Sequence, residues 1–496
     1  MEFPGTWCWC GAVALVSIII TVLSTKNKNS RARYPEGTQL TPPLVSGPDL
    51  LRLIPTLLSK GGLPAVFTGL YAKYGSVFRV SFLGFKMIFL AEPEVTPHFY
   101  HGLDSEISHG DLYEFTVPIF GSAIGLARDI ATRNEQKRFH FDALKPSRLP
   151  GDFAPMLQEV ESYFGKWGKE GIVDLKFEFD RLIMLMACRC FLGIGEEVRE
   201  KMFDEIDALF RELAKGMKLA SILFPYLPTP LNRSRDRARI RLTEILSDVV
   251  ETRKRSGRVE EDTLQRFIDS RYKDGSPTSV EEVVGMTISL LFAGKHNSSV
   301  ATIYSAACLL THPTYLKAVI EEQEQIAKKY KDGIDFNAVM EMEMLHNCMK
   351  ETIRMHPPSL ALVRKAHLPF TVQTKEGKQY QIPQDHPVAT LIHVNNYIPY
   401  IYKDPHVYDP YRFGRERKED IAGGKLSFMS FGAGRHVCIG EGNAYLQMKL
   451  IWSHLLRNFE LELISPFPET DWSNFVGKPK GNLFVRYKRI GSAKSV

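Results

Sequence analysis

The chain has 496 residues, 44% apolar and 24% charged, a balance that suits a packed globular protein and excludes a disordered or collagen-like one. Lysine and arginine total 63 against 57 acidic residues, and the resulting +6 excludes a nucleic-acid footprint spread over the whole protein. The 7 cysteines, odd in number and sparse, exclude a secreted disulfide scaffold and point to thiols in a reducing compartment.

Phe3 to Thr25 carries no charge, and Trp7 to Leu23 is nearly all apolar or small, enough for a helix to cross a bilayer core of about 30 Å. Only Glu2 precedes this run and no Ala-x-Ala-like site follows, which favours a retained anchor over a cleaved signal. Lys26, Lys28, Arg31 and Arg33 then place the rest of the chain in the cytoplasm by the positive-inside rule. Residues 1–25 are expected as a transmembrane anchor, and 26–48, with Pro35, Pro42, Pro43 and Pro48, as a stiff Pro-rich linker. Residues 49–496 show no second linker, so one large catalytic body is expected, mainly α with small β-sheets.

Val77 to Leu90 alternates around Gly84 like a β-hairpin. Cys188 and Cys190, two apart with no second pair, are expected as core thiols rather than zinc ligands. Arg233, Arg235, Arg237, Arg239 and Arg241 recur at alternate positions after the apolar SILFPYLPTP, which reads as a solvated helix or as a face meeting anionic lipid. The longest predicted helix starts at Ser279, where Ser279 and Glu282 have capping-box spacing, and runs apolar to His312. Apolar nearly all round, it belongs in a core. Ala293 to Ser299 interrupts it with small and polar side chains, which is costly without partners or a cavity.

The chain lacks a His-Glu-x-x-His pair, a Gly-Lys-Ser/Thr phosphate loop and a Gly-x-Ser-x-Gly elbow. Gly432-x-Gly434 begins a dinucleotide pattern that fails at Val437. What remains is Phe431 to Gly442, FGAGRHVCIGEG, where glycines surround one cysteine just before a helical run. Glycines let backbone approach a flat, bulky ligand closely, and a cysteine there can serve iron as thiolate.

Phe431, Gly434, His436, Cys438 and Gly440 fit the haem-binding loop of the cytochrome P-450 superfamily, and the chain is identified by resemblance as a member. The resemblance implies the P-450 fold, haem b with Cys438 as axial ligand of the iron, and electrons from NADPH through a separate reductase. It also implies that Glu351, Arg354 and Arg412 form a structural ion network behind the haem. LLFAGKHNSS in the long helix and Tyr113 to Gly121 resemble the sterol 14α-demethylase family, and IWSHLLRNFELELISPFPETDW resembles its plant branch. That family would place Tyr113, Lys137, Arg364 and His436 near the haem propionates. It would line the substrate pocket with Phe115, Phe120, Leu126, Phe292, Leu360, Leu362 and Phe475, and use His296, Asn297 and Ser298 in oxygen activation. The implied setting is the endoplasmic reticulum membrane, single-pass, with reductase, membrane lipid and a sterol or triterpenoid as partners and no nucleic acid.

Three departures from the family's pattern fall at the chemistry. Asn297 replaces a threonine whose hydroxyl can donate and accept within a water chain, whereas an amide relays protons poorly. Leu126 replaces an aromatic at the end of the Gly121–Ala127 loop. Lys295 replaces glutamine beside His296, a charge expected to snorkel to a polar surface or to lower its pKa. On these departures the reading leans to hydroxylation or epoxidation of a triterpenoid, as in a divergent plant group. Obtusifoliol-type sterol 14α-demethylation is the alternative. A reductase-independent isomerase and a non-catalytic haem protein would share Cys438. Retained His296 and the anchor argue against the first, and NADPH consumption would exclude the second.

Overall fold

In the computed structural model, which describes residues 40–59, 61–82, 85–192, 196–257, 259–331, 333–472 and 476–491, the chain divides into two units. Residues up to Leu112 and Ala361–Ile398 form the first, Tyr113–Leu360 and Pro399–Val496 the second. The expected anchor and the linker as far as residue 39 lie outside the described residues, as does Phe475. Among those described, no helix is long and apolar enough to cross a membrane.

The first unit is built on a 5-stranded sheet in the order β1-β2-β8-β5-β3. Alternation of apolar and polar residues produces the antiparallel pair β1 (Val77–Phe82) and β2 (Phe85–Leu90). β3 (Ile107–Ser108) and β5 (Ala361–Ala366) pair with each other, and β8 (Pro387–Leu391) lies between β2 and β5. Phe78 and Phe89 stack at 5.2 Å in the core with Leu70 of helix α1 (Gly62–Tyr74) and Leu391. The end of the expected linker bonds along the edge of this sheet, with an isolated bridge between Leu44 and Arg79. Val45 donates to Arg79 O and Arg79 donates to Pro43 O, both at 2.9 Å, and Val45 is buried. A proline-containing stretch has no internal hydrogen bonds and finds them on the outer edge of β1. On β5, Leu362 stands opposite Thr390, and the buried Arg364 guanidinium lies 4.5 Å over the Phe99 ring while donating to Phe99 O.

In the second unit the helices are α2 (Ile130–Leu144), α3 (Leu149–Gly165), α4 (Leu175–Leu192), α5 (Glu196–Leu213), α6 (Pro230–Ser256) and α7 (Val280–Thr311). After them come α8 (Pro313–Lys329), α9 (Glu343–Met355) and α10 (Glu441–Asn458). At the start of α7 the capping box is complete: Ser279 Oγ accepts from Glu282 N at 3.2 Å and Glu282 Oε2 accepts from Ser279 N at 2.8 Å. Because its surface is apolar on every side, α7 is enclosed by α4, α6 and α9. Cys188 and Cys190 on α4 are buried core thiols.

The arginine run on α6 does not make one cationic face. Arg233, Arg237 and Arg241 recur every four residues and are exposed, whereas Arg235 and Arg239 fall on the opposite side of the helix. Arg235 is 1% exposed and donates to Pro225 O at 2.8 Å.

Behind the cysteine loop, Glu351, Arg354 and Arg412 meet with every side chain wholly buried. Arg354 Nε reaches Glu351 Oε2 at 2.7 Å, and Arg412 Nε reaches Oε1 at 2.9 Å. Asp409 N donates to the same carboxylate, Arg354 donates to Pro405 O, and Glu419 takes the remaining charge of Arg412 at 2.5 Å. Removing the carboxylate charge leaves two buried guanidinium groups short of a partner. Glu351→Gln is therefore expected to destabilise the holoprotein by about 3–5 kcal/mol, read as a lowered urea midpoint.

Candidate active site

Glycine lets the loop before α10 turn tightly: Gly432 and Gly434 have φ of 70° and 62°. Cys438 N donates to Phe431 O at 2.8 Å, which folds the loop back on itself and leaves the cysteine exposed just before the α10 N-terminus. Partial desolvation of the thiol raises its pKa, while the backbone N–H groups of Gly440 and Glu441 oppose that by hydrogen-bonding the sulfur. The helix dipole acts in the same direction as those N–H groups. Beside the loop, Lys137 of α2 donates to Arg435 O and lies 3.3 Å from His436 Nδ1. An accessible sulfur among donors that favour its thiolate, next to a lysine and a histidine suited to carboxylates, fits haem. Tyr113 stacks on Phe115 at 5.8 Å in the same unit. Arg364 and Leu362 belong to the first unit.

The centre of α7 carries the second group of residues. Ala293 and Asn297, one turn apart, are exposed, while Phe292, Lys295, Ser298 and Ser299 around them are buried. Phe120 meets Phe292 edge-on at 5.5 Å, and Phe292 lies against His296 at 4.5 Å. His296 Nδ1 is 3.2 Å from Phe292 O, an acceptor only, so Nδ1 carries the hydrogen and Nε2 is the free base. Burial first, and then the charges of Lys478 and Lys295, hold the imidazole neutral by lowering its pKa to about 3. Asn297 Nδ2 donates to Ala293 O at 3.3 Å, which leaves its carbonyl oxygen as an acceptor. Phe115 and Leu360 are buried, and Leu126 lies with its main chain in the 3₁₀ turn Gly125–Ala127.

Lys295 does not snorkel. It is buried and paired with Asp207 of α5, whose other oxygen takes Arg211 at 2.5 Å. The carboxylate ties α5 to the middle of α7. A partner so distant in sequence gives no local signal, and Asp207 and Arg211 by themselves have only the i,i+4 spacing of an ordinary surface pair. Gln136 gives no signal either, because its partners are main-chain groups of an irregular loop. Its Oε1 accepts from Gly125 N and its Nε2 donates to Ala123 O, both at 3.0 Å, so it fixes the 121–127 loop against α2.

Residues 45–485 match the cytochrome P450 family, and the chain belongs to that family of haem-thiolate monooxygenases. It is 47% identical to an obtusifoliol 14-alpha demethylase of Sorghum bicolor over 91% of each chain. It is 49% identical to a sterol 14-demethylase of Arabidopsis thaliana over 84% of this chain and 86% of that one. Within the family it therefore falls in the plant branch of the sterol 14α-demethylases. The fold alone is shared with a retinoic acid-bound cyanobacterial CYP120A1, at a TM-score of 0.77 and 22% identity, covering 92% of this chain and 100% of that one. Haem iron is accordingly its cofactor, and a reductase supplies its electrons.

The Asp207 site predicts an asymmetry between two neutralising changes. Asp207→Asn leaves Lys295 buried without a counter-charge and is expected to cost about 3 kcal/mol or more. Lys295→Met leaves Asp207 still paired with Arg211 and is expected to cost less than half as much. Urea unfolding of the two holoproteins reads the difference.

Proposed function

We propose that the protein removes the 14α-methyl group from a 4-monomethyl sterol of the obtusifoliol type. Residues 1–25 would anchor it in the endoplasmic reticulum membrane, with residues 49–496 as the catalytic body on the cytoplasmic side. The observation that carries the sterol reading is the 47% and 49% identity to plant enzymes of that name over most of the chain. The triterpenoid lean rests on Asn297, Leu126 and Lys295, and Lys295 weighs less once Asp207 meets its charge. These comparisons favour the demethylase over that lean.

Haem held through Cys438 supplies the activation of dioxygen. The chain's own residues do the rest. Gly440 and Glu441 N–H groups favour negative charge on the sulfur, and Lys137 and His436, which lie 3.3 Å apart, would hold the propionate carboxylates. Tyr113 offers a phenol for the same purpose. Phe115, Phe120, Phe292 and Leu360 give apolar surface that excludes water from around a flat ring system. His296, held neutral with its hydrogen on Nδ1, can accept a hydrogen bond from water at Nε2. Asn297 can hold a water molecule by its carbonyl oxygen but does not pass a proton through it, and Ser298, one residue on, carries the hydroxyl that Asn297 lacks.

A second reading, oxidation of a triterpenoid, is favoured by Asn297 in particular. The test is product analysis with full-length protein, a plant reductase and NADPH, offered obtusifoliol and β-amyrin in parallel. Loss of the sterol 14α-methyl is the expected result. Oxygen added only to β-amyrin would contradict the proposal. In the same assay, Asn297→Thr is expected to raise product formed per NADPH consumed severalfold, and unchanged coupling would mean that the amide does not limit proton delivery.

A further inference from the structure

One cation of α6 has no part in the site as described so far. Arg239 turns inward, where its Nη2 donates to the main-chain carbonyl of Phe120 at 3.3 Å and its Nη1 meets Thr243 Oγ1 one turn along the helix. Its Nε is buried without a hydrogen-bond partner, and no carboxylate among the described residues pairs with it. A half-buried guanidinium with an unpartnered Nε and no counter-charge is costly, so its place there needs a compensating use.

The residue after that carbonyl supplies it. Gly121 has φ of 101°, a conformation that L side chains rarely adopt, and a Cβ on it would collide with Arg239 Nη2. The turn that ends the Val117–Phe120 helix and the arginine on α6 therefore occupy one fitted contact. From there the contacts run inward, from Phe120 to Phe292 and from Phe292 to His296.

We propose that Arg239 is a positioning residue: it clamps α6 to the 120–121 turn, fixes the Phe120 ring against Phe292, which in turn lies on His296, and so sets the width of the space open to a large ring scaffold. The identity of that scaffold rests on the sterol reading; the clamp does not. Arg239 acts through Phe120, and it touches neither cofactor nor substrate.

The test uses holoprotein and two iron ligands of different bulk, unsubstituted imidazole and an imidazole carrying a large aryl substituent, titrated by the visible spectrum. Arg239→Met keeps the apolar length of the side chain but removes the donor. It is expected to weaken the bulky ligand about tenfold, the worth of one buried charged hydrogen bond, while imidazole binding stays within about twofold. Gly121→Ala should give the same split by pushing the guanidinium aside. Arg239→Lys, which restores a donor on a long stem, should recover most of the affinity. Bulky-ligand binding unchanged in Arg239→Met, or equal loss for both ligands, would overturn the clamp. Obtusifoliol turnover by the wild type is read alongside: a bulky-ligand split without sterol turnover would uphold the clamp and sink the sterol assignment instead.

Discussion

The buried carboxylate of Glu351 is the contact on which the cysteine site depends. It gathers Arg354, Arg412 and the backbone of Asp409, so the irregular chain from 402 to 430 is fastened to α9 by charge-assisted hydrogen bonds. Arg354 also lies 5.1 Å from the Tyr402 ring, and Tyr402 in turn donates to Ser427 O at 3.0 Å. Ser430 reaches Ile353 O on the same helix, and Phe431 O then receives the Cys438 N–H. A loop rich in glycine has high conformational entropy and would not hold a sulfur in place by itself. Here the order is imposed from behind, by ions that water does not reach.

A second constraint governs the centre of α7, where polar groups sit in a helix otherwise apolar on every side. Three of them are answered differently, while the buried Ser299 Oγ has no hydrogen-bond partner among the described residues. Lys295 is neutralised by Asp207, His296 is kept uncharged, and Asn297 bonds the preceding turn of its own helix. The charge that looked out of place in the core is thus a strut between α5 and α7. Of the three departures from the demethylase pattern, Lys295 is structural and Asn297 bears on proton movement, while Leu126 lies in the 3₁₀ turn Gly125–Ala127.

The cysteine loop was legible because its glycines and cysteine stand at short, fixed spacing, whereas the Glu351–Arg354–Arg412 set was legible only through the family resemblance, since Arg412 lies 61 residues from Glu351. The β1–β2 hairpin and the α7 capping box were legible because their signals are local. What was not legible depends on contacts that no local pattern marks. Asp207 under Lys295 and Arg239 over Gly121 come from helices far along the chain, while Gln136 under the 121–127 loop and Glu419 completing Arg412 are near in sequence but reach their partners only through the irregular path of the chain between them. The arginine run shows the limit most clearly. It read as a solvated helix or as a face meeting anionic lipid, but helical geometry sends three of its members to solvent and turns two inward.

The account turns on Cys438 as the thiolate that holds the iron, and the most direct measurement is the carbon monoxide difference spectrum of the reduced Cys438→Ser protein. Loss of the thiolate-type band, with the band intact in the wild type, is the result the account predicts. A normal thiolate band in the variant would contradict it and move the ligand elsewhere in the chain.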